Sequence, residues 1–303
     1  MSTAAKFIAG KQFSLVLVLL TLLAESACTN QSEVAIAYFV PAYGKMKFVN
    51  QSGLVIREIE VGVSPSSCSW SPENGNIAFS DFDSLYTINP DGTGLTRITQ
   101  LTGGMEELSW SSDGEWIVFD TNTAYNNTPF SGRESEIYLT DVADSKSVRL
   151  AAGMNPDWSP IGDIIVYVSM NTSGGFPHIF TLKVGETNSI QLTDGFTGNY
   201  NPRWSPDGDR IAFISTRSHP NGSNREIYLM NADGSDVIQL TNFEMKDLQA
   251  IDLEWSPTGK QIAVLATGLS IDKFLYTIGI DDSDMQLVVS ETSLRCPLWL
   301  PTP

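Results

Sequence analysis

A tryptophan followed by a tight turn returns six times along the chain, and this repeat constrains the fold more than any other feature. The intervals between successive copies run from 40 to 51 residues, and the copies are Trp70, Trp110, Trp158, Trp204, Trp255 and Trp299. Self-similarity at a period of this size indicates an architecture in which each repeat is one supersecondary unit that buries its apolar faces against its neighbours.

The first five tryptophans are each followed by residues typical of a tight turn and then by strands. In Ser205-Pro206-Asp207-Gly208 the proline presets the backbone angle and the glycine closes a type I turn. Nearly continuous apolar runs follow, which predict strands buried on both faces, at 76–80, 116–120, 164–169, 210–215 and 261–266. A third and a fourth β-rich run complete each unit. Four strands with their connections need about 36 to 48 residues, which is close to the repeat length.

The two ends of the repeat region complement one another. The first unit begins directly with a second-strand run at 34–40 and has no tryptophan strand of its own, whereas residues 294–299 supply one. The sequence therefore predicts an all-β chain. We expect a single six-bladed β-propeller over 34–303, with four antiparallel strands per blade, whose ring is closed by the C-terminal strand completing the N-terminal blade.

Three phrases carry a family resemblance. They are Trp-Ser-Pro-Asp-Gly at 204–208, Ile-Tyr-Leu-Met-Asn-Ala-Asp-Gly-Ser at 227–235 and Leu-Thr at 240–241. Together they resemble the propeller repeats of the TolB-like family, over 34–301. The resemblance implies a non-catalytic propeller that acts as a protein or peptide interaction or scaffolding module at the cell envelope. TolB itself carries an additional α/β domain ahead of its propeller, for which we expect no counterpart in this chain.

Residues 1–27 have the layout of a signal peptide. Lys6 and Lys11 precede an apolar stretch at 13–23, which is shorter than the about 20 residues that a membrane-spanning helix needs. Cleavage by an ordinary signal peptidase and lipidation of Cys28 both fit the sequence, since Ser26-Ala27-Cys28 suits a lipobox and Glu25 does not. We expect an exported protein, periplasmic or at the cell surface, with residues 28–33 as a tether; if Cys28 is lipidated, it is the point of membrane attachment.

Several kinds of chemistry lack their sequence signals. With 18 basic against 35 acidic residues the net charge is −17, which argues against a nucleic-acid partner. The chain has no Gly-x-Ser-x-Gly elbow, phosphate-binding loop or His-Glu-x-x-His motif, and His178 and His219 are its only histidines. We therefore predict a monomer that is not an enzyme and has no cofactor or metal.

The long loops between second and third strands are rich in aromatic and arginine side chains. Propeller geometry places them, together with the connections from fourth to first strands, on one face, which we call the loop face. These residue types are enriched at interaction hot spots, so we predict a partner-binding surface formed by Tyr125, Phe130, Arg133, Phe176, Phe196, Tyr200, Arg217, Arg225, Phe243 and Lys246. The alternative is that the aromatics anchor their own loops and the arginines pair with acids such as Glu226.

The residues three positions before the tryptophans form a second candidate site. One per blade, they are Ser67, Glu107, Asn155, Asn201, Asp252 and Cys296, and they predict a polar ring in the channel, with Glu107 and Asp252 half a turn apart. Three alternatives remain open: a carbohydrate-active enzyme using paired carboxylates, a small-ligand binder using the channel, and an accessory propeller of a separate hydrolase.

Cys68 and Cys296 fall on the innermost strands of neighbouring blades, where a disulfide would staple the ring closure. Their positions relative to the tryptophans differ by one residue, so a regular strand would point them in opposite directions. The bond requires a local distortion that re-aims one side chain.

Overall fold

The computed structural model describes residues 36–40, 43–101, 103–122, 135–170, 174–218, 224–243, 248–268, 272–281 and 285–300. These residues form six sheets of four antiparallel strands each. Among them there is no helix long and apolar enough to cross a membrane.

Each sheet is one blade, whose strands lie in order from the innermost to the outermost. Blade 1 is β24 (Arg295–Trp299), β1 (Ile36–Val40), β2 (Lys45–Val49) and β3 (Val55–Glu60). Blade 2 is β4 (Cys68–Trp70), β5 (Ile77–Asp81), β6 (Ser84–Ile88) and β7 (Thr96–Gln100). Blade 3 is β8 (Gly104–Trp110), β9 (Trp116–Asn122), β10 (Glu136–Asp141) and β11 (Ser147–Ala152).

The other three blades repeat this order. Blade 4 is β12 (Met154–Trp158), β13 (Ile164–Ser169), β14 (His178–Lys183) and β15 (Ile190–Gln191). Blade 5 is β16 (Asn199–Trp204), β17 (Arg210–Ser215), β18 (Glu226–Asn231) and β19 (Ile238–Gln239). Blade 6 is β20 (Gln249–Trp255), β21 (Gln261–Thr267), β22 (Lys273–Gly279) and β23 (Met285–Glu291).

The predicted six-bladed propeller and its closure are confirmed. Each innermost strand packs beside that of the next blade, and β20 packs beside β24, which completes the circle. In blade 1, β24 pairs with β1 through Ile36 with Trp299 and Ala37 with Leu298. A single sheet thus joins residues near both ends of the described chain.

In blades 3, 5 and 6 the turn after the tryptophan is held by its serine. Gly208 N donates to Ser205 O at 2.9 Å, which closes the turn, and the Ser205 hydroxyl donates to Asp207 at 2.5 Å and accepts from Arg210 N at 2.9 Å. Gly208 has a φ of +74°, a conformation that favours glycine. One serine therefore connects both strands of the hairpin, which explains the Trp-Ser-x-x-Gly pattern. We call the face that carries these turns the turn face.

The core lies between blades. The buried apolar side chains of the described residues fall into six clusters, one at each interface between neighbouring blades. Each repeated tryptophan packs in the interface with the preceding blade; Trp255, for example, is 5% exposed between blades 5 and 6. Because an interface needs both its blades, no blade buries its apolar surface alone.

Candidate functional site

The loop face carries the most exposed aromatic side chains of the described part of the chain. Phe196 is 82% exposed, Tyr43 71% and Phe82 48%, and each lies in a connection on this face. Phe196 meets Phe176 edge to face, with ring centroids 6.2 Å apart. Tyr43 and Phe82 were not singled out from the sequence, because they stand in short loops that the search for long loops passed over.

Five of the other sequence candidates on the loop face fall into two groups. Phe243 is fully buried, so for this residue the expectation of an exposed contact is wrong and the loop-anchor alternative applies. Tyr125, Phe130, Arg133 and Lys246 lie outside the described residues, as does Cys28.

Arg217 and Arg225 contact aromatic rings of their own region. The Arg217 guanidinium lies 4.9 Å from the Tyr228 ring centroid and donates to Asn199 Oδ1 at 3.1 Å. Burial lowers the pKa of Arg217. Arg225 lies 5.1 Å from the centre of the Tyr200 ring. These cation–π contacts hold both guanidinium groups in fixed positions on the loop face.

Glu226, which the sequence offered as an arginine partner, is fully buried. Its carboxylate accepts hydrogen bonds from the Thr241 hydroxyl at 2.5 Å and from Phe243 N at 2.7 Å. Glu226 therefore anchors the loop between blades 5 and 6.

The structure brings the polar ring together in pairs across blade boundaries. Ser67 Oγ donates to Glu107 at 3.4 Å, Asn201 N donates to Asn155 Oδ1 at 3.5 Å, and Asn201 Nδ2 donates to Asp252 at 3.5 Å. These contacts connect blades 2 and 3, 4 and 5, and 5 and 6. The ring positions therefore lie side by side around the channel.

Asp120, on β9, connects two of these ring members to one another. Its two carboxylate oxygens accept Glu107 N at 2.7 Å and Asn155 N at 2.9 Å. The side chain is 1% exposed, and burial raises its pKa to about 7 against the opposing effect of these hydrogen bonds. Sequence reasoning missed Asp120, which ends an apolar strand and gives no repeated signal.

Arg203 forms ion pairs with three acids of the channel, and it was not among the candidates predicted from the sequence. From blade 5 its guanidinium reaches Glu107 of blade 3 at 2.5 Å, and it lies 3.8 Å from Asp252 and 3.9 Å from Glu254 of blade 6. It thus joins the two acids that the sequence placed half a turn apart. Strand alternation offered a signal, because the residue directly before the tryptophan shares a strand face with the ring position two residues earlier.

The channel holds more carboxylates than cations. Burial on its own would lower the pKa of Arg203, but Glu107, Asp157, Asp252 and Glu254 together raise it. Burial raises the pKa of Glu254 to about 8, although Arg203 opposes this, and it raises the pKa of Glu107 in the same way. Arg203 therefore stays charged, while burial favours the protonated form of the carboxyl groups around it. No group of three or more metal-ligating side chains suited to a metal ion occurs within the described ranges.

A cavity of about 350 Å³ opens at the turn face, bordered by all six repeated tryptophans together with Asp157, Arg203 and Glu254. The indole N–H groups of Trp110, Trp255 and Trp299 donate to carbonyls of the preceding blade at 3.0 to 3.2 Å. Those of the other three tryptophans have no partner among the residues that the structure describes. The sequence predicted binding on the loop face, with the polar ring of the channel as a second candidate, and did not predict this tryptophan-lined opening.

Comparison with known proteins agrees with this architecture. A family model described as the TolB beta propeller domain matches residues 121–302. TolB from Acinetobacter baumannii has a TM-score of 0.70 and 22% identity, over 88% of this chain and 67% of that one. A protein assigned as TolB from Agrobacterium tumefaciens has a TM-score of 0.64 and 18% identity, over 87% of this chain and 91% of that one.

A third similar structure is that of an oligogalacturonate lyase in complex with manganese, with a TM-score of 0.54 and 14% identity, over 82% of this chain and 74% of that one. At these identities the similar structures establish the fold alone. No curated protein sequence matches the chain significantly.

Proposed function

The chain belongs to the TolB β-propeller family, and from this premise we propose that it is a non-catalytic, exported binding module whose loop face holds a protein or peptide partner. One observation carries the proposal: the three most exposed aromatic side chains of the described residues, Tyr43, Phe82 and Phe196, all lie on that face. Exposed aromatics are typical anchors of protein interfaces, where a few side chains supply most of the binding free energy.

Arginine adds a second element to the same surface. Arg217 and Arg225 are held against Tyr228 and Tyr200. A partner that contacts them therefore restricts few additional side-chain rotations, which keeps the entropy cost of binding small. Arginine is enriched with aromatics at interface cores. Blades 4 and 5 therefore supply both aromatic and cationic contacts, which suits a partner segment with an apolar anchor and a carboxylate.

Export is the part of the proposal that rests on sequence alone. The basic and apolar pattern of residues 1–27 supports it, and these residues lie outside the described ranges. Mass spectrometry of the mature N-terminus distinguishes an ordinary cleavage product from a chain that begins with an acylated Cys28.

The binding proposal is tested by affinity capture of the tagged mature protein from envelope extracts of its source, followed by mass spectrometry. The test variant replaces Tyr43, Phe82 and Phe196 with alanine. The matched control is Ile161→Ala, because Ile161 is 60% exposed on the turn face. We expect a stoichiometric partner that the control retains and the triple variant binds at least about 30-fold more weakly, the effect of one hot spot of 2 kcal/mol.

Two results would contradict the proposal. The triple variant could retain the partner with unchanged affinity, or the turn-face control could lose it. If no partner is captured at all, the turn-face cavity becomes the better candidate, because it combines Arg203, Asp157 and Glu254 in a space suited to a small ligand.

A further inference from the structure

Two thiols meet where the ring closes. Cys68 lies on β4 of blade 2 and Cys296 on β24 of blade 1, and the Cys68 thiol donates to Cys296 O at 3.4 Å. The two side chains share the apolar cluster between these blades. Both are free cysteines in the structure. We propose that Cys68 and Cys296 are a site of reversible oxidation, whose disulfide covalently closes the propeller between its first and second blades.

The fold supplies the distortion that such a bond needs. In a regular strand the two side chains would point in opposite directions, because their positions relative to the tryptophans differ by one residue. The pairing of β1 with β24, however, shifts register between Ala37 and Phe39, opposite the segment that contains Cys296. Cys296 itself has a φ of +50°. This bulge turns the Cys296 side chain into the interface that contains Cys68.

The residue type at the bulge supports a specific role for the thiol. The equivalent positions of blades 4 and 5 are Asn155 and Asn201, with φ of +51° and +45°. Asparagine tolerates this left-handed conformation, whereas for most other residues it is strained. Cysteine at this position therefore has a conformational cost that asparagine would avoid, and an observed strain of this kind points to a function of the side chain.

One of the thiols has a route to solvent. Cys68 lines the turn-face cavity and is partly exposed, whereas Cys296 is 6% exposed. A small disulfide such as oxidised glutathione can therefore reach Cys68 first. Burial raises the pKa of both thiols, so the reactive thiolates are scarce in the closed ring at neutral pH, and exchange is slow there and accelerates as the pH rises.

The reaction is an ordinary thiol–disulfide exchange in two steps. The Cys68 thiolate attacks one sulfur of oxidised glutathione, which forms a mixed disulfide and releases one glutathione thiolate. The Cys296 thiolate then attacks the Cys68 sulfur and releases the second. Two protein thiols lose two electrons to one glutathione disulfide, and the two protons end on the two reduced glutathione molecules.

The test is a thiol count on the folded full chain equilibrated in glutathione buffers of increasing oxidation, with Cys28→Ser present in every sample. After denaturation and alkylation, mass spectrometry should find two labelled cysteines at the reducing end and none at the oxidising end. The bond closes a loop of 228 residues, so reduction with a phosphine should lower Tm by about 10 °C.

Cys68→Ser and Cys296→Ser are the matched controls, since each removes one sulfur and leaves the other. Reduction should leave the Tm of both variants unchanged, and each should show one labelled thiol in every buffer or a single glutathione adduct at the oxidising end. Two labelled thiols on the parent chain in the most oxidising buffer would overturn the proposal, as would disulfides found only between chains. The count is independent of partner binding, so its failure leaves the loop-face proposal untouched.

Discussion

Replacing Arg203 with methionine tests whether this one buried cation stabilises the folded propeller through the acids of the channel. Methionine keeps much of the length of the side chain and removes its charge. The Arg203 side chain is 9% exposed, and its Glu107 and Asp252 partners are 16% and 22% exposed. A pair of unit charges 4 Å apart interacts by about 4 kcal/mol at an effective dielectric constant of 20, and part of this offsets desolvation. Removing one partner of a buried ion pair costs about 3 to 5 kcal/mol.

The expected loss can be measured as a melting temperature. For a domain of roughly 270 residues the unfolding entropy is about 0.55 kcal/mol per kelvin, so Arg203→Met should lower Tm by about 5 to 9 °C at pH 8. The control is Arg210→Met, which removes an exposed cation from the adjacent strand and should shift Tm by less than about 1 °C. Differential scanning calorimetry of both variants and the parent gives the comparison.

The loss of stability caused by Arg203→Met should also depend on pH in a definite direction. Glu254 has a pKa raised from 4.5 to about 8 in the folded chain, so the folded state binds more protons than the unfolded state between these values. Stability therefore falls as the pH rises through this window. Arg203 lowers the pKa of Glu107 and Glu254, so its loss raises both further. The deficit of Arg203→Met should grow from pH 5 to pH 9. An equal deficit at both pH values, or a shift below about 2 °C at pH 8, would refute this account.

Two further predictions concern single positions. Trp255 donates its indole N–H to Arg203 O at 3.0 Å, whereas Trp158 has no such partner among the described residues. Trp255→Phe should therefore lower the free energy of unfolding, measured in urea, by about 1 kcal/mol more than Trp158→Phe. Gly53 has a φ of +78°, and an added Cβ would lie 2.0 Å from Val288 O. Gly53→Ala should therefore lower the free energy of unfolding by at least about 2 kcal/mol. An unchanged urea midpoint would contradict the close contact between blades 1 and 6.

The repeat and the buried strands could be predicted from the sequence because they follow from local patterns. The predicted strands at 164–169 and 210–215 coincide with β13 and β17, while the run at 76–80 differs from β5 by one residue. Apolar periodicity and turn chemistry act over a few residues and are visible in one chain. The ring closure was predictable for a related reason. The N-terminal blade lacks an innermost strand, and the C-terminal end of the chain has one strand more than its own blade needs.

The interior of the channel was less predictable because it depends on contacts between distant blades. Arg203 and Glu107 are 96 residues apart in the sequence, and no local pattern predicts the contact between their side chains. The bulges were missed although a signal existed, since Pro156, Pro202 and Pro297 stand directly after the three inner-strand residues with positive φ. Proline within a strand is typical of edge strands and bulges. The roles of the loop-face residues remain predictions.

The shared blade 1 also has a consequence for how the molecule folds. The strand Ile36–Val40 is completely buried, and its inner neighbour Arg295–Trp299 is synthesised more than 250 residues later. Until then an apolar strand with one unpaired edge must be shielded, because such edges template aggregation. Pairing across this sequence separation gives a high contact order and a slow search. Among the described strands the first to be made is therefore the last to be covered, and a chaperone that binds extended apolar segments has its longest opportunity at Ile36–Val40.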